Sequence, residues 1–200
     1  MPALGITGGI ATGKSTFTQA FVRLLTADFF DSDQCSRELL AGNGDVRQAV
    51  LRRFGSEVFR EDGTPNRAVL RERVFRDESA RKDLEAILHP RIRERWMALL
   101  EAAKSGKNWL CIDIPLLYET GAEQHFDRVI VVACSSDTQR QRLRVARGLS
   151  DEIATRIIAA QLDLREKISR ATHLIWNDST PASLEGQATL LANWLRHRYG

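Results

Sequence analysis

With 200 residues, 43% of them hydrophobic and 28% charged, the chain has the size of one α/β domain that can carry a smaller inserted subdomain and bury its core without disulfides or a structural metal. No apolar run nears the roughly 18 residues of a membrane-crossing helix, and residues 1–5 lack the features of a signal peptide, so a cytoplasmic protein without a membrane partner is expected. The net charge of +3 comes with no long basic block, which argues against a nucleic-acid partner.

The basic residues are 24 arginines and 5 lysines. Arginine's planar fork grips phosphate with two hydrogen bonds, so the bias suits a phosphorylated substrate. A genome rich in G and C gives the same bias, and composition leaves both readings open. Cys35, Cys111 and Cys134 are odd in number and match no metal-site spacing; they read as reduced packing residues.

The first element is a short apolar run at residues 3–7, a buried strand, followed by a glycine-rich turn. Phe17, Phe21, Leu24 and Leu25 then recur at helical spacing. Residues 28–31 make a second strand. From Asp33 to about Lys107 the chain reads as helices with brief loops. Val46, Val50 and Phe54 share a face that Gly55 ends. The turn Asp62-Gly63-Thr64-Pro65 breaks the pattern. Leu70 with Val74, and Leu84 with Ile87 and Leu88, mark two more amphipathic pieces. Pro90 is read as the first position of a new helix, with Ile92, Trp96, Leu99, Leu100 and Ala103 on one face. Residues 109–114 and 128–134 are strands three and four. The latter is apolar on both faces, as a central parallel strand requires. Residues 138–147 form a helix stopped at Gly148. Ser150-Asp151-Glu152 opens another, with Ile153, Ile157 and Ala160 inward. Residues 173–176 are a fifth strand, and a last helix from near Pro181 carries Leu184, Ala188, Leu191 and Leu195. The expected fold class is α/β, a five-stranded parallel sheet flanked by helices and joined by right-handed crossovers. Its core is about 1–32 and 107–200, with an inserted helical subdomain at about 33–106.

The strongest motif is Gly8-Gly9-Ile10-Ala11-Thr12-Gly13-Lys14-Ser15, which satisfies G-x-x-x-x-G-K-[ST] between a strand and a helix. Gly8 and Gly13 permit angles other residues resist. The loop can then turn its N–H groups onto phosphate oxygens, and the helix beginning near Lys14 adds its positive end. Gly9, Ile10, Ala11, Thr12, Gly13, Lys14, Ser15 and Thr16 are the expected ATP-binding set. Lys14 reaches the β- and γ-phosphates, the Ser15 hydroxyl ligates Mg²⁺, and Thr16 lies toward the α-phosphate. The alternative is a glycine-rich turn that holds no nucleotide.

The guanine-reading Asn-Lys-x-Asp, an Asp-x-x-Gly after the third strand and the transporter signature LSGGQ are all absent from the sequence. Fold-level analogy then favours the nucleoside and nucleotide kinase group. Asp31-Ser32-Asp33 follows the second strand, and the carboxyl ends of parallel strands face the ligand crevice. One of these residues is expected to cap the next helix and another to act on the γ-phosphoryl group.

The run from Leu4 to Thr16 followed by Asp31-Ser32-Asp33 resembles the dephospho-CoA kinases, whose pattern is TGGIGSGKST and then DAD. The resemblance continues, in order, through Gly63-Thr64-Pro65-Asn66-Arg67, Leu70 to Phe75, Leu84-Glu85-Ala86-Ile87-Leu88-His89-Pro90 and Ile114-Pro115-Leu116-Leu117-Tyr118-Glu119. It ends with Gln139-Arg140 and Arg147, Arg156 and Gln161, and Asn177. The family's activity would be ATP-dependent phosphorylation of the ribose 3′-hydroxyl of dephospho-CoA, giving coenzyme A and ADP. The resemblance makes Asp33 the general base and residues 33–92 the CoA-binding region. It puts His89, Pro115, Leu116, Leu117 and Glu119 on the acceptor side. His89 is equally readable as a helix-start residue, and Leu116 and Leu117 as packing residues.

In this kinase group a helical lid, here about 138–162, closes over ATP. Arg147 and Arg142 are the arginines favoured to meet the phosphates, and the alternative is a solvated face on which Arg140, Arg144 and Arg147 align. Asp113 is a candidate Mg²⁺ acid, although the family often has an apolar residue there. Three departures stand out. Ala11 replaces a glycine, at no cost only if its φ is negative; Ser32 replaces alanine; Pro65 replaces an apolar residue. The alternatives are another small-molecule kinase, of the nucleoside or shikimate type, or a nucleotide-binding adaptor without catalysis. Oligomeric state is not legible.

Overall fold

The computed structural model describes residues 1–200 apart from the side chain of Arg147. The elements run β1 (Ala3–Gly8), α1 (Lys14–Leu25), β2 (Asp28–Asp31), α2 (Ser32–Gly42), α3 (Gly44–Phe54), α4 (Arg67–Arg76), α5 (Glu78–Ala103), β3 (Leu110–Asp113), β4 (Arg128–Ala133), α6 (Ser136–Arg147), α7 (Asp151–Ala159), α8 (Leu164–Ser169), β5 (His173–Trp176) and α9 (Pro181–Tyr199). The strands form one five-stranded sheet in the order β2-β3-β1-β4-β5. β1 pairs in parallel with both β3 and β4, and β4 with β5. The chain divides into two compact units, Met1–Phe30 with Leu100–Gly200, and Asp31–Leu99.

The sheet unit is organised by the alternation of β1. Leu4 and Ile6 face one side, where they join Ile130, Val132 and Ile175 against Phe17 and Phe21 of α1 and Leu184, Ala188 and Leu195 of α9. Phe17 and Phe21 stack at 5.0 Å. Gly5 faces the other side, where a Cβ would meet Leu117 at 2.8 Å and Phe126 at 2.9 Å. The register Ile6↔Asp113 brings the carboxyl ends of β1 and β3 side by side, and strand order reverses about β1. Open α/β sheets bind ligands at such a point. The three cysteines are free and buried. Burial pushes the Cys111 thiol up to about 12 and Cys134 to about 11, so neither is a nucleophile near neutrality.

In the second unit, Val46, Val50 and Phe54 are buried along α3, and Gly55 ends it at φ 78°. Pro90 does not begin a helix. It lies inside the continuous α5. Leu88, Ile92 and Trp96 form one buried stripe across the proline, each contributing roughly 1.5–3 kcal/mol, enough together to offset a break costing about 3 kcal/mol. Arg91 donates to the Ile87 carbonyl at 2.7 Å, one residue beyond the Ala86 carbonyl that the proline leaves without its N–H. Leu99 is exposed, not inward. In α7 the fully buried residue is Ala154, while Ala160 is exposed at the helix end. The short α8 was not anticipated from the sequence.

Candidate active site

β1 delivers the chain into the turn at residues 9–13, and α1 begins directly at Lys14. At Gly8 a Cβ would lie 2.3 Å from the Val132 carbonyl. Gly13 has φ 86°, and a Cβ there would fall 2.2 Å from Asn177 Nδ2. Ala11 takes φ 59°, so the condition for a cost-free alanine is not met. No side chain caps α1, and its first turn carries no acid. Its leading N–H groups are left to an anion.

The outward backbone groups of the loop are held by side chains. Ile10 is gripped on both sides: Gln139 Nε2 donates to its carbonyl at 2.8 Å, and its N–H donates to Gln161 Oε1 at 2.9 Å. Asn177 Nδ2 donates to the Thr12 carbonyl at 2.8 Å. Arg142 donates to the Ala11 carbonyl at 3.2 Å and to the Asn177 carbonyl at 2.9 Å. Gln139 and Asn177 are buried, so a lost partner there would leave a costly unpaired group. Protein groups thus fix the shape of the loop. Arg142 serves as a brace on the loop in this arrangement.

Lys14 Nζ pairs with Asp113 at the end of β3, and Thr18 Oγ1 donates to the other oxygen of the same carboxylate at 3.5 Å. Asp113 is buried, so this pair is little screened. Ser15 and Thr16 are exposed on the first turn of α1. Among the described residues there is no group of three or more metal-ligating side chains. The hard oxygens of Ser15 and Asp113 fit Mg²⁺, which takes most of its ligands from phosphates and water.

In the second unit, Asp31 caps α2, its carboxylate accepting from the Gln34 N–H at 2.9 Å. Asp33 lies exposed in the first turn of that helix, with no hydrogen bond or ion pair to a described residue. Ser32 is buried and its hydroxyl has no hydrogen-bond partner among the described residues. His89 is half-buried within α5 rather than at a helix start.

Beyond β3, Pro115 and Leu116 are half-buried. Leu117 is fully buried against Gly5, so it is core and lines no acceptor pocket. One oxygen of Glu119, Oε1, pairs with Lys167 at 2.8 Å and accepts from the Leu162 N–H at 3.0 Å, and the residue is otherwise exposed. Lys167 has no exposed side chain and was missed in the sequence. Its signal was register, since Leu164, Lys167 and Ile168 fall on one helical face. Arg140 pairs with Asp137, and Arg144 with Asp151 at 3.5 Å, both on solvated surface. The side chain of Arg147 lies outside the described residues.

Residues 3–183 match the model of a family described as dephospho-CoA kinase. A dephospho-CoA kinase of Anaeromyxobacter dehalogenans is 41% identical over 200 residues, covering 98% of this chain and 93% of that protein. One from Bacillus cereus is 39% identical over 193 residues, covering 96% of each. A crystal structure of a Thermus thermophilus protein superposes with a TM-score of 0.75 at 29% identity, covering 100% of this chain and 98% of the other.

Proposed function

The chain belongs to the dephospho-CoA kinase family, and we propose from that premise how its residues carry out the reaction. It phosphorylates dephospho-CoA with ATP, a transfer to the ribose 3′-hydroxyl that yields coenzyme A and ADP. The observation that carries the residue-level reading is the pre-shaped loop. Phosphoryl transfer needs positioning and charge neutralisation more than covalent chemistry, and a loop already held in shape supplies both without reorganising. The N–H groups of residues 11–16 cradle the phosphates, and Lys14 moves from Asp113 onto the β- and γ-phosphates. Mg²⁺, held by Ser15 and by Asp113 through water, would neutralise charge on the phosphate oxygens. Arg142 keeps Ala11 and Asn177 in place beside the nucleotide, and Arg147 meets the transferring group from the lid.

Asp33 is the general base for the 3′-hydroxyl. Support comes from the division of labour in Asp31-Ser32-Asp33: Asp31 is consumed as the cap of α2, while Asp33 is exposed and has no hydrogen bond or ion pair to a described residue. The second unit, Asp31–Leu99, takes the role of the CoA-binding region, with His89 toward the acceptor. Pro115 and Leu116 line the acceptor side, where Leu117 is buried as packing and Glu119 is held through Oε1 by Lys167. No helix is long and apolar enough to cross a membrane, and three buried free thiols suit a reducing cytoplasm.

The test is Asp33→Asn in an ADP-release assay with a panel of acceptors. Asparagine keeps the shape but cannot take a proton, so kcat with dephospho-CoA is expected to fall roughly 10²-fold or more, with melting temperature and ATP affinity unchanged. A rate within a few-fold of wild type would move the base elsewhere. ADP release stimulated instead by shikimate or a nucleoside would overturn the substrate, and no acceptor stimulation at all would leave a nucleotide-binding adaptor.

A further inference from the structure

Lys167 is a fully buried cation on the short helix α8, outside every motif used above. Its ammonium donates to the Pro115 carbonyl at 3.0 Å and pairs with Glu119 at 2.8 Å. The same Pro115 carbonyl accepts from Thr7 Oγ1 at 3.0 Å. The same Glu119 oxygen accepts from the Leu162 N–H at 3.0 Å. One lysine therefore sits at the centre of a network joining β1, the turn after β3 and the chain before α8.

Each anchor stands next to a site residue. Thr7 immediately precedes Gly8. Pro115 lies two residues after Asp113, the partner of Lys14. Leu162 follows Gln161, which holds the Ile10 N–H. A buried ion pair is a poor choice for stability alone, because apolar residues of similar volume serve as well or better. What it adds is a fixed geometry among the segments it ties.

We propose that Lys167 and Glu119 are positioning residues for the phosphoryl transfer. Resting on the kinase reading, they lock the phosphate loop, the turn after β3 and the C-terminal root of the lid into one arrangement. On this account the lid swings from a root at residues 161–163 that is pinned twice, by the Gln161 side chain on Ile10 and by the Leu162 backbone on Glu119. Glu119 acts through this network and not by touching substrate.

The experiment compares Lys167→Met, Glu119→Gln and the double variant. The readouts are kcat and KM for ATP and dephospho-CoA, ATP-analogue affinity and stoichiometry by calorimetry, and thermal unfolding. Lys167→Met alone leaves Glu119 without its partner and should melt lower. The double variant removes both charges, so its melting temperature should recover. Its kcat should nevertheless stay roughly tenfold to a hundredfold below wild type, the scale of a small misplacement of reacting groups. Analogue binding should remain near one site per chain, with affinity within about threefold, a small change on that same scale. A double variant that regains wild-type kcat along with its stability would reduce the network to structural support and overturn the proposal. If Lys167→Met does not fold, the double variant and Glu119→Gln carry the comparison, made on samples whose binding stoichiometry fixes the active fraction. Wild-type protein that releases no ADP with dephospho-CoA would instead sink the kinase reading itself.

Discussion

Ala11 sits at φ 59°, where an L-residue's Cβ crowds the following carbonyl at about 1–2 kcal/mol. Two contacts over-determine it: Arg142 on its own carbonyl and the Gln139–Gln161 grip on the residue before. Glycine would relieve the strain but give back roughly 0.4–1 kcal/mol through a freer unfolded chain. Ala11→Gly is therefore expected to raise the melting temperature slightly, by about 2 °C, and to leave ATP affinity intact. A β-branched Ala11→Val should lower both, and thermal scans with and without ATP read the difference. A glycine form that melts below the alanine form, by the roughly 0.4–1 kcal/mol of the unfolded-state term alone, would mean that the loop carries no strain there. The motif made the loop legible from residue types alone. The sign of φ at one position was not, because it depends on which carbonyls the neighbouring side chains hold. The same limit applied to Asp31-Ser32-Asp33: the type of residue announced a cap, but which acid caps depends on where α2 begins, a matter of one residue.

At the scale of elements, runs that are buried on both faces were readable and runs interrupted by a special residue were not. Residues 128–134 announce β4 because nothing but a central strand takes six β-branched or small apolar residues in a row. Gly148 and Gly55 announce helix ends because each carries the positive φ that stops the helix. Pro90 misled because its local preference for a first turn lost to the apolar stripe running through it. Pro90 removes a hydrogen bond from the middle of α5 and crowds the turn before it, and it adjoins His89. Pro90→Ala would restore an N–H for the Ala86 carbonyl. It should stabilise the protein by about 1–2 kcal/mol after the unfolded-state term, worth roughly 2–8 °C in melting temperature. The altered turn beside His89 should also raise KM for dephospho-CoA several-fold with KM for ATP unchanged. A stabilised variant with both KM values unchanged would make the proline's place beside His89 incidental. Lys167 stayed hidden for a related reason. A lysine on the inward face of α8 breaks the apolar pattern that identifies a short helix, and only the fold supplies Glu119 and the Pro115 carbonyl to satisfy it.

At the scale of the whole molecule, the nucleotide machinery belongs to one unit. Lys14, Asp113, Gln139, Arg142, Gln161 and Asn177 all fall in Met1–Phe30 with Leu100–Gly200, whereas Asp33 and His89 fall in Asp31–Leu99. If ATP is held by the first unit and the acceptor's reacting end is served by Asp33 of the second, the two kinds of defect separate in a binding experiment that needs no turnover. A ligand at a hundredfold its Kd stabilises by about 2.7 kcal/mol, which for a chain of this length raises the melting temperature by roughly 5–10 °C. Asp33→Asn should show this ATP shift in full, since its carboxylate contributes nothing to nucleotide binding and its removal takes away a negative charge. Lys14→Ala should lose most of the shift. The lysine's charge is the one that must leave Asp113 for the phosphates, and without it the buried Asp113 carboxylate lies unneutralised beside the loop and repels them. Its own melting temperature without ligand should also drop, because Asp113 is then a buried charge without its ammonium. Lys14→Ala/Asp113→Asn is the control for that effect. It should melt close to wild type without ligand yet still fail to bind ATP tightly. An Asp33→Asn protein that loses the ATP shift, or a Lys14→Ala protein that keeps it, would contradict the assignment of nucleotide and acceptor to separate units.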